Sequence, residues 1–481
     1  MYKYCGKNIR PFSAVCDCKF GRKIIYTNAR QITKKNIVKE LNKALTIHRQ
    51  NAVEIDYLDK YYRGDQPILY RKKDIRPDVN NKIVQNLALF IVETKTSEMA
   101  GEPIQYVLRG TDEKKSEEIA NLNTIMEGED KPYFDIELCR WRSICGTAYR
   151  FIGNDERHAR LLDETRFYIS TEDPRNTFVV YFNNGASAFS CQIRKDEEDK
   201  DFYFCYTDTE WFEIKNNEIS NLGANGNYAI PVIEYPNNER RLSDIEITIT
   251  ITDNINKNAS DRENGIEQFV ASWIKFINCE VDKESYLNMV NSGALVVKSN
   301  NNENRADVDI MTQELNQTES QVAVNDQFEK MLIIQGLADR QANTGGDTQG
   351  AVTLRNGFYS MEKRSELSEP IFKRSERNML RIVLNRLRIT SGFSLLPSDV
   401  EIKISRTKSD NMQTKAQVLT MLLQAGVKYE RALKTIGLFA DPEQVAIESR
   451  KRMELLYPEE EKEEVKTRIT EEKEPVKTEA V

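Results

Sequence analysis

Histidine is nearly absent: His48 and His158 are the two histidines in 481 residues. They stand in unrelated contexts, and neither has a serine or cysteine pattern beside it that suggests a catalytic triad. No His-x-x-x-His pair exists, which removes the usual helical zinc signature. Long apolar runs are also missing. The best, residues 87–92, falls far short of the roughly 20 residues of a membrane-spanning helix. The opening MYKYCGKNIRPFSAVC lacks the apolar stretch of a secretory signal, so cytoplasmic synthesis and no membrane association are expected. Cysteine is sparse and scattered, at positions 5, 16, 18, 139, 145, 191, 205 and 279, which reads as free thiols. Cys16-x-Cys18 with Cys5 lacks a second close pair, so no structural zinc is expected. Gly345-Gly-Asp-Thr-Gln-Gly350 has the glycine spacing of a phosphate-binding loop, but Ala351-Val352 stands where Lys-Ser/Thr is required. Without the lysine charge that meets the phosphates, a nucleotide site is excluded. The acidic cluster Asp196-Glu-Glu-Asp199 reads as a solvated turn. The expectation is a protein with no catalytic residue, no metal and no cofactor.

Charged residues are plentiful at 30%, against 39% apolar, the balance of a folded chain with much polar surface. The length suggests roughly two to four folding units. The net charge of −7 is uneven. Residues 1–35 carry nine Lys or Arg against Asp17 alone, and residues 459–481 carry nine Glu against five Lys or Arg. Charged arms of this kind are usually just solvated.

Residues 1–32 show no period and read as an irregular arm. Helical spacing of apolar residues predicts helices over residues 34–62, 81–100, 116–127 and 134–145. After Gly146 the pattern changes to short aromatic and β-branched runs. Strands are predicted at residues 148–152, 165–169, 177–182, 187–193, 202–206, 210–214 and 232–235, separated by turn formers such as Asn183-Asn184-Gly185. Residues 245–251 alternate with period two and read as strand. Helix is expected over 255–277, a strand at 294–298, a turn at 300–304, and mostly helix over 309–337. A polar, glycine-bearing loop follows, and then a long helical pattern to about residue 389, about 60 Å if continuous. Pro370 should kink that helix, because it lacks the backbone donor. A strand at 400–405 and three short helices complete the pass. The third opens at Asp441-Pro442-Glu443-Gln444, with an N-cap and a capping box. Residues 458–481 read as disordered.

Several stretches, in order, resemble portal proteins of long-tailed phages that infect Gram-positive bacteria. They are Tyr61-Tyr-Arg-Gly-Asp-Gln-Pro-Ile68 with Asn81-Lys-Ile-Val-Gln-Asn86 and Met99-Ala-Gly-Glu-Pro-Ile104; Pro231-Val-Ile-Glu-Tyr-Pro-Asn-Asn238 with Ser260-Asp-Arg-Glu-Asn-Gly-Ile-Glu-Gln-Phe269; Thr348-Gln-Gly-Ala-Val-Thr-Leu-Arg-Asn-Gly357 with Glu362-Lys-Arg364; and Thr414-Lys-Ala-Gln-Val-Leu-Thr-Met421 with Leu438-Phe-Ala-Asp-Pro-Glu443. The resemblance implies an α+β subunit that assembles, probable number twelve, into a homo-oligomeric ring at one capsid vertex. It implies a basic arm at 1–35, a β-containing wing at 36–254, stem helices at 255–276 and 317–342, and an α/β clip at 277–316. A tunnel loop at 343–350, a kinked helix returning to the wing at 351–410, a helical crown at 411–457 and a charged tail at 458–481 complete it. Two departures stand out. The family runs into the stem where residues 245–251 alternate like a strand, so the stem is expected to start nearer Asn254, and the cysteine-bearing arm has no counterpart.

The partners so implied are double-stranded DNA passing without sequence preference, the terminase large subunit, a head-completion or adaptor protein, and the major capsid and scaffolding proteins. The expected location is the virion, after synthesis in the bacterial host. Twelve copies at −7 each carry about −84, a sign that disfavours strong phosphate binding. Lys257, Arg262, Lys275, Lys330 and Arg340 are the candidate channel cations. Asn343, Thr344, Gly345, Gly346, Asp347, Thr348, Gln349 and Gly350 form the candidate DNA-gripping loop, in which glycines free the backbone. The basic run Lys373, Arg374, Arg377, Arg381, Arg386 and Arg388 is a candidate inter-subunit surface. The competing readings are another structural or adaptor protein of the virion, and a nucleic-acid-processing enzyme, for which no metal or nucleotide cluster is visible.

Overall fold

A computed structural model of the chain describes residues 2–4, 7–9, 21–74, 77–110, 112–154, 167–270, 273–277, 282–284, 287–288, 307–311, 317–338, 358–405, 412–436, 439, 442, 444–447 and 449. The architecture is α+β. A short antiparallel pair, β1 (Tyr2–Tyr4) and β2 (Lys7–Ile9), comes first. Then follow β3 (Ile25–Thr27), α1 (Ile37–Tyr62), α2 (Leu87–Ala100), β4 (Gln105–Leu108), α3 (Glu113–Gly128) and α4 (Lys131–Cys145). The strand-rich stretch comprises β5 (Thr147–Asn154), β6 (Phe167–Glu172), β7 (Thr177–Phe182), β8 (Ser187–Lys195), β9 (Asp201–Tyr206), β10 (Glu210–Lys215), β11 (Glu218–Ala224) and β12 (Val232–Pro236). Next come α5 (Ile249–Val270), β13 (Trp273–Ile277), β14 (Asp307–Met311), α6 (Gln317–Gln335), α7 (Phe358–Ser391), β15 (Val400–Lys403), α8 (Met412–Gln424) and α9 (Tyr429–Ile436).

Two sheets carry the strand-rich stretch. The larger has the order β11-β10-β9-β8-β7-β3, antiparallel except that β3 joins β7 in parallel. The smaller has the order β12-β5-β6. One face of α1, with Ile37, Leu41, Ala44 and Leu45, packs on Phe178, Val180, Phe189, Cys191 and Phe212 of the larger sheet. Helices α3, α4 and α7 close over the smaller sheet, where Phe372, Met379 and Val383 of α7 meet Ala148, Ile152 and Tyr235. Gly146 ends α4 with φ +85, its N–H reaching the Arg142 carbonyl at 2.9 Å. A Cβ there would lie 2.0 Å from the Arg241 carbonyl oxygen, so both the turn and the close approach demand glycine.

Several expectations are corrected. Residues 245–251 are not a strand: turns lead into α5, which starts at Ile249 rather than near Asn254. The isoleucines alternate in sequence, but Ile245 and Ile249, four apart, are the fully buried ones, Ile251 is partly buried and Ile247 is exposed. Burial therefore follows the helical period. Likewise α5 ends at Val270, and the following stretch, expected to be helix, holds strand β13, antiparallel to β14. The region expected to be mostly helical from residue 309 begins in β14. The second helix starts at Leu87, not residue 81. Strands β1, β2, β3, β4 and β11 were not expected, and the first three lie within the arm read as irregular. The strand at 294–298, the turn at 300–304, the loop 343–350, Asp441 and the tail 458–481 lie outside the described residues.

Candidate functional site

Helices α5 and α6 pack on each other and are joined through β13 and β14. One side of α5 carries Asn256, Ser260 and Asn264, each fully or nearly fully buried. Their four-residue spacing puts them on one face, about 6.0 Å apart along the axis. Against that face runs the irregular segment before α2. The backbone N–H groups of Asn81, Ile83 and Gln85 donate to Asn264 Oδ1 at 2.7 Å, Ser260 Oγ at 2.9 Å and Asn256 Oδ1 at 2.9 Å. Alternate residues of an extended chain are about 6.6 Å apart, close enough to the helical step for three successive rungs. This explains why residues 81–86 are not helical: their amides are satisfied by another element's side chains.

The strap ends at Asn86, which takes φ +40 and caps α2 by accepting from Leu89 N–H. Gln66 ties the strap to α1 and α5: its Nε2 donates to Asn86 Oδ1 at 3.1 Å and to the Tyr61 carbonyl at 3.2 Å. Asn256 Nδ2 in turn donates to Gln66 Oε1 at 2.5 Å. Tyr61 OH donates to Asp253 Oδ1 on α5 at 2.8 Å. Burial lifts the Asp253 carboxyl to about 6, although the Tyr61 hydrogen bond opposes that. Arg71 pairs with Asp261 at 2.8 Å. Thus three of the sequence stretches singled out above, around Tyr61, Asn81 and Ser260, meet at one place.

The C-terminal end of α6 is fixed as well. Gln335 Nε2 donates to the Asp244 carbonyl at 2.6 Å and Thr248 Oγ1 at 2.7 Å, at the root of α5. Gly336 takes φ +68, and the Leu337 N–H returns to the Leu332 carbonyl at 2.9 Å, closing the helix with the left-handed stop that glycine permits. Met331, Leu332 and Leu337 pack on Ile91 of α2.

The candidate cations stand in different surroundings. Lys257 is exposed on α5. Arg262, half-buried, donates to Gln321 Oε1 of α6, so it braces the helix pair. Lys330 is exposed and pairs with Asp326 one turn earlier at 2.6 Å. Lys275 is on strand β13 rather than a helix. Arg340 lies outside the described residues, as do Asn343, Thr344, Gly345, Gly346, Asp347, Thr348, Gln349 and Gly350. The two helices are acidic: α5 carries four Asp or Glu against two Lys or Arg, and α6 three against one, so each has net charge −2. Val322 and Ile333 of α6 are each 62% exposed, on a face that also carries the exposed Asp326 and Glu329.

Behind this pair, α7 is locked to the sheets by a buried charge cluster that sequence reasoning missed. Glu376 Oε1 accepts from Tyr106 OH at 2.6 Å and from Lys131 Nζ at 2.9 Å. Glu376 Oε2 accepts from Tyr235 OH at 2.6 Å and faces Arg150 Nη1 at 3.5 Å. Asp135 pairs with both Lys131 and Arg150. Burial alone would raise the Glu376 carboxyl, but Lys131, Arg150 and the two phenols hold it down at about 2. Pro370 stands inside α7 two residues before Phe372, which is fully buried against Tyr235. Arg386 of the basic run donates to Asn227 Oδ1 at 2.8 Å, and Lys373 pairs with Glu369 at 2.9 Å, so these two are engaged within the chain.

Comparison with known proteins adds the family. No curated protein matches the chain. A solved chain from the neck of an empty GTA particle, computed with C6 symmetry, has 10% identity and a TM-score of 0.43, covering 73% of this chain and 90% of that one. A likeness at that level carries no argument. The family described as phage portal protein, SPP1 Gp6-like, matches residues 41–475, nearly the whole length and all of the helix pair, its strap and the buried cluster. The chain therefore belongs to the SPP1 Gp6-like phage portal protein family.

Proposed function

We propose that this chain is the subunit of a portal ring of twelve copies, the number the family resemblance implies, at one vertex of the capsid. In this reading the ring is the conduit for DNA packaging and ejection, and a docking site for the terminase large subunit and for head-completion or adaptor proteins. The major capsid and scaffolding proteins would surround it in the virion. Membership of the portal family over residues 41–475 carries the proposal. Helices α5 and α6 are the stem, with the clip between them at residues 277–316. The strand-rich part with α1 to α4 is the wing, α7 is the kinked helix that returns to it, and α8 and α9 belong to the crown.

The helix pair supports the reading on physical grounds. Its acidic charge disfavours a strong hold on phosphates, as a conduit that lets DNA slide requires. Among the described residues of the helix pair, Lys257 and Lys330 are exposed cations that would steer a duplex, Lys330 with its charge already shared by Asp326. The chain acts as a structural component, and the energy for packaging comes from a separate motor.

Electron microscopy of the purified full chain tests the assembly. End-on rings with a central hole are expected; a monomer or a shell lattice would sink the proposal. The loop is tested separately by deleting residues 343–350. Ring assembly should be intact and DNA packaging impaired, and normal packaging by that variant would reject the loop's role.

A further inference from the structure

A cavity of about 240 Å³ lies where α2, α4, the C-terminal end of α6 and the first turns of α7 come together. It is distinct from the exposed surface of the helix pair and from the Glu376 cluster. Its lining includes three cations, Lys95, Arg142 and Arg364, and two carboxylates, Glu98 and Asp244. The charges do not cancel, and their hydrogen bonds show where the excess sits. Asp244 is fully engaged: Oδ1 accepts from Lys95 Nζ at 2.8 Å and Asn237 Nδ2 at 3.2 Å, and Oδ2 accepts from Ser143 Oγ at 2.8 Å. Lys95 is thereby neutralised. Glu98 accepts from Ser365 Oγ at 2.8 Å.

Two guanidiniums remain. Arg364 Nη1 donates to the Ile334 carbonyl at 2.7 Å, a neutral acceptor at the end of α6. Arg142 is only 4% exposed. Its Nε donates to the Pro236 carbonyl at 3.2 Å and its plane lies 5.6 Å from the Phe372 ring centroid. Among the described residues no carboxylate forms an ion pair with either guanidinium. Arg364 is exposed, whereas Arg142 is buried with Asp244 as a charge partner that Lys95 already shares, and a buried charge short of counter-charge is unfavourable in a protein interior. A guanidinium fork matches the paired oxygens of a phosphate. The space also suits a small anion with its waters, since one water needs roughly 10–15 Å³.

We propose that this cavity binds a phosphate group through Arg142 and Arg364, whose guanidinium N–H groups are the donors. The bound anion bridges α4 to the start of α7 beside the end of α6, adding counter-charge beside the buried Arg142. The proposal rests on the cavity and does not require the ring. Two sources share this chemistry: a free phosphate ion and a backbone phosphate of DNA.

Titration of the full-length protein with inorganic phosphate, read by calorimetry and by phosphorus NMR line width, tests it. Saturable binding of one phosphate per subunit is expected. Arg364→Gln should weaken it at least about tenfold, while Lys200→Gln, an exposed position between β8 and β9 outside the cavity, should leave it unchanged. If Arg364→Gln shifts the urea midpoint, Arg142→Lys, which keeps the charge but loses the fork, should show the same weakening. A duplex oligonucleotide that displaces the phosphate assigns the site to DNA; failure to displace it assigns the site to the free ion. Absence of saturable binding, or undiminished affinity in both arginine variants, would overturn the proposal.

Discussion

Replacing Glu376 by Ala should be among the most damaging single changes in the chain. The side chain has no exposure and neither do those of Arg150 and, to within 2%, Lys131. With Glu376 present, two buried cations face two buried carboxylates, Asp135 and Glu376. Without it, Lys131 and Arg150 share Asp135 alone, and the hydroxyls of Tyr106 and Tyr235 lose their acceptors. Breaking a buried pair by removing one partner typically destabilises by about 3–5 kcal/mol. The two orphaned phenols put the expectation at the upper end of that range. Urea unfolding of the full chain, followed by circular dichroism, should show a large fall in midpoint with little change in slope. The double variant Glu376→Met with Lys131→Met restores charge balance. It should recover about 1–3 kcal/mol relative to the sum of the single changes. The pH dependence provides a second check. The folded carboxyl is held at about 2, below its ordinary 4.5, so its contribution is fully present above about pH 5. It is lost as pH falls through that interval, which is worth about 3 kcal/mol. The gap between wild type and Glu376→Ala should therefore shrink as pH falls from 4.5 towards 2. A loss below about 1 kcal/mol at neutral pH, or a double variant no better than the sum, would refute the reasoning.

Other outcomes follow from the strap. Asn256→Ala removes the acceptor for the Gln85 amide and the donor to Gln66, and should destabilise by about 2–3 kcal/mol in urea unfolding. Hydrogen exchange at Ile83 and Gln85 should rise in the same variant. Asp253 has its carboxyl raised to about 6 in the folded chain by burial, so the wild type should lose stability as pH rises from about 4 to 6. Asp253→Asn should abolish that slope and raise the urea midpoint at pH 7.5.

The sequence carried the α+β class and most strand positions because the strand-rich stretch is patterned locally: aromatic and β-branched runs divided by turn residues. Where local pattern and tertiary burial disagree, it misled. The isoleucines at 245, 247, 249 and 251 alternate like a strand, yet Ile245 and Ile249, four apart, are the two that are fully buried and Ile247 faces outward. Residues 81–86 have helical apolar spacing, but their amides are claimed by Asn256, Ser260 and Asn264, which lie more than 170 residues away in the chain. No local signal reports such a partner. The Glu376 cluster was invisible for the same reason, since its members come from β4, α4, β5, β12 and α7, and each alone is an ordinary polar residue. The basic run on α7 was visible as charge, but which of its members are engaged, as Arg386 is with Asn227, depends on contacts no spacing encodes.

The strap on α5 also limits how that helix can move. Each rung pairs one helical turn with two extended residues, and the steps differ by about 0.6 Å, so the fit degrades after a few rungs. A displacement of half a turn along the axis breaks all three bonds at once. A displacement of a full turn lets two of them re-form with new partners. The contact therefore behaves as a detent: small forces along the helix are resisted, and movement, when it comes, proceeds in steps of about 6 Å.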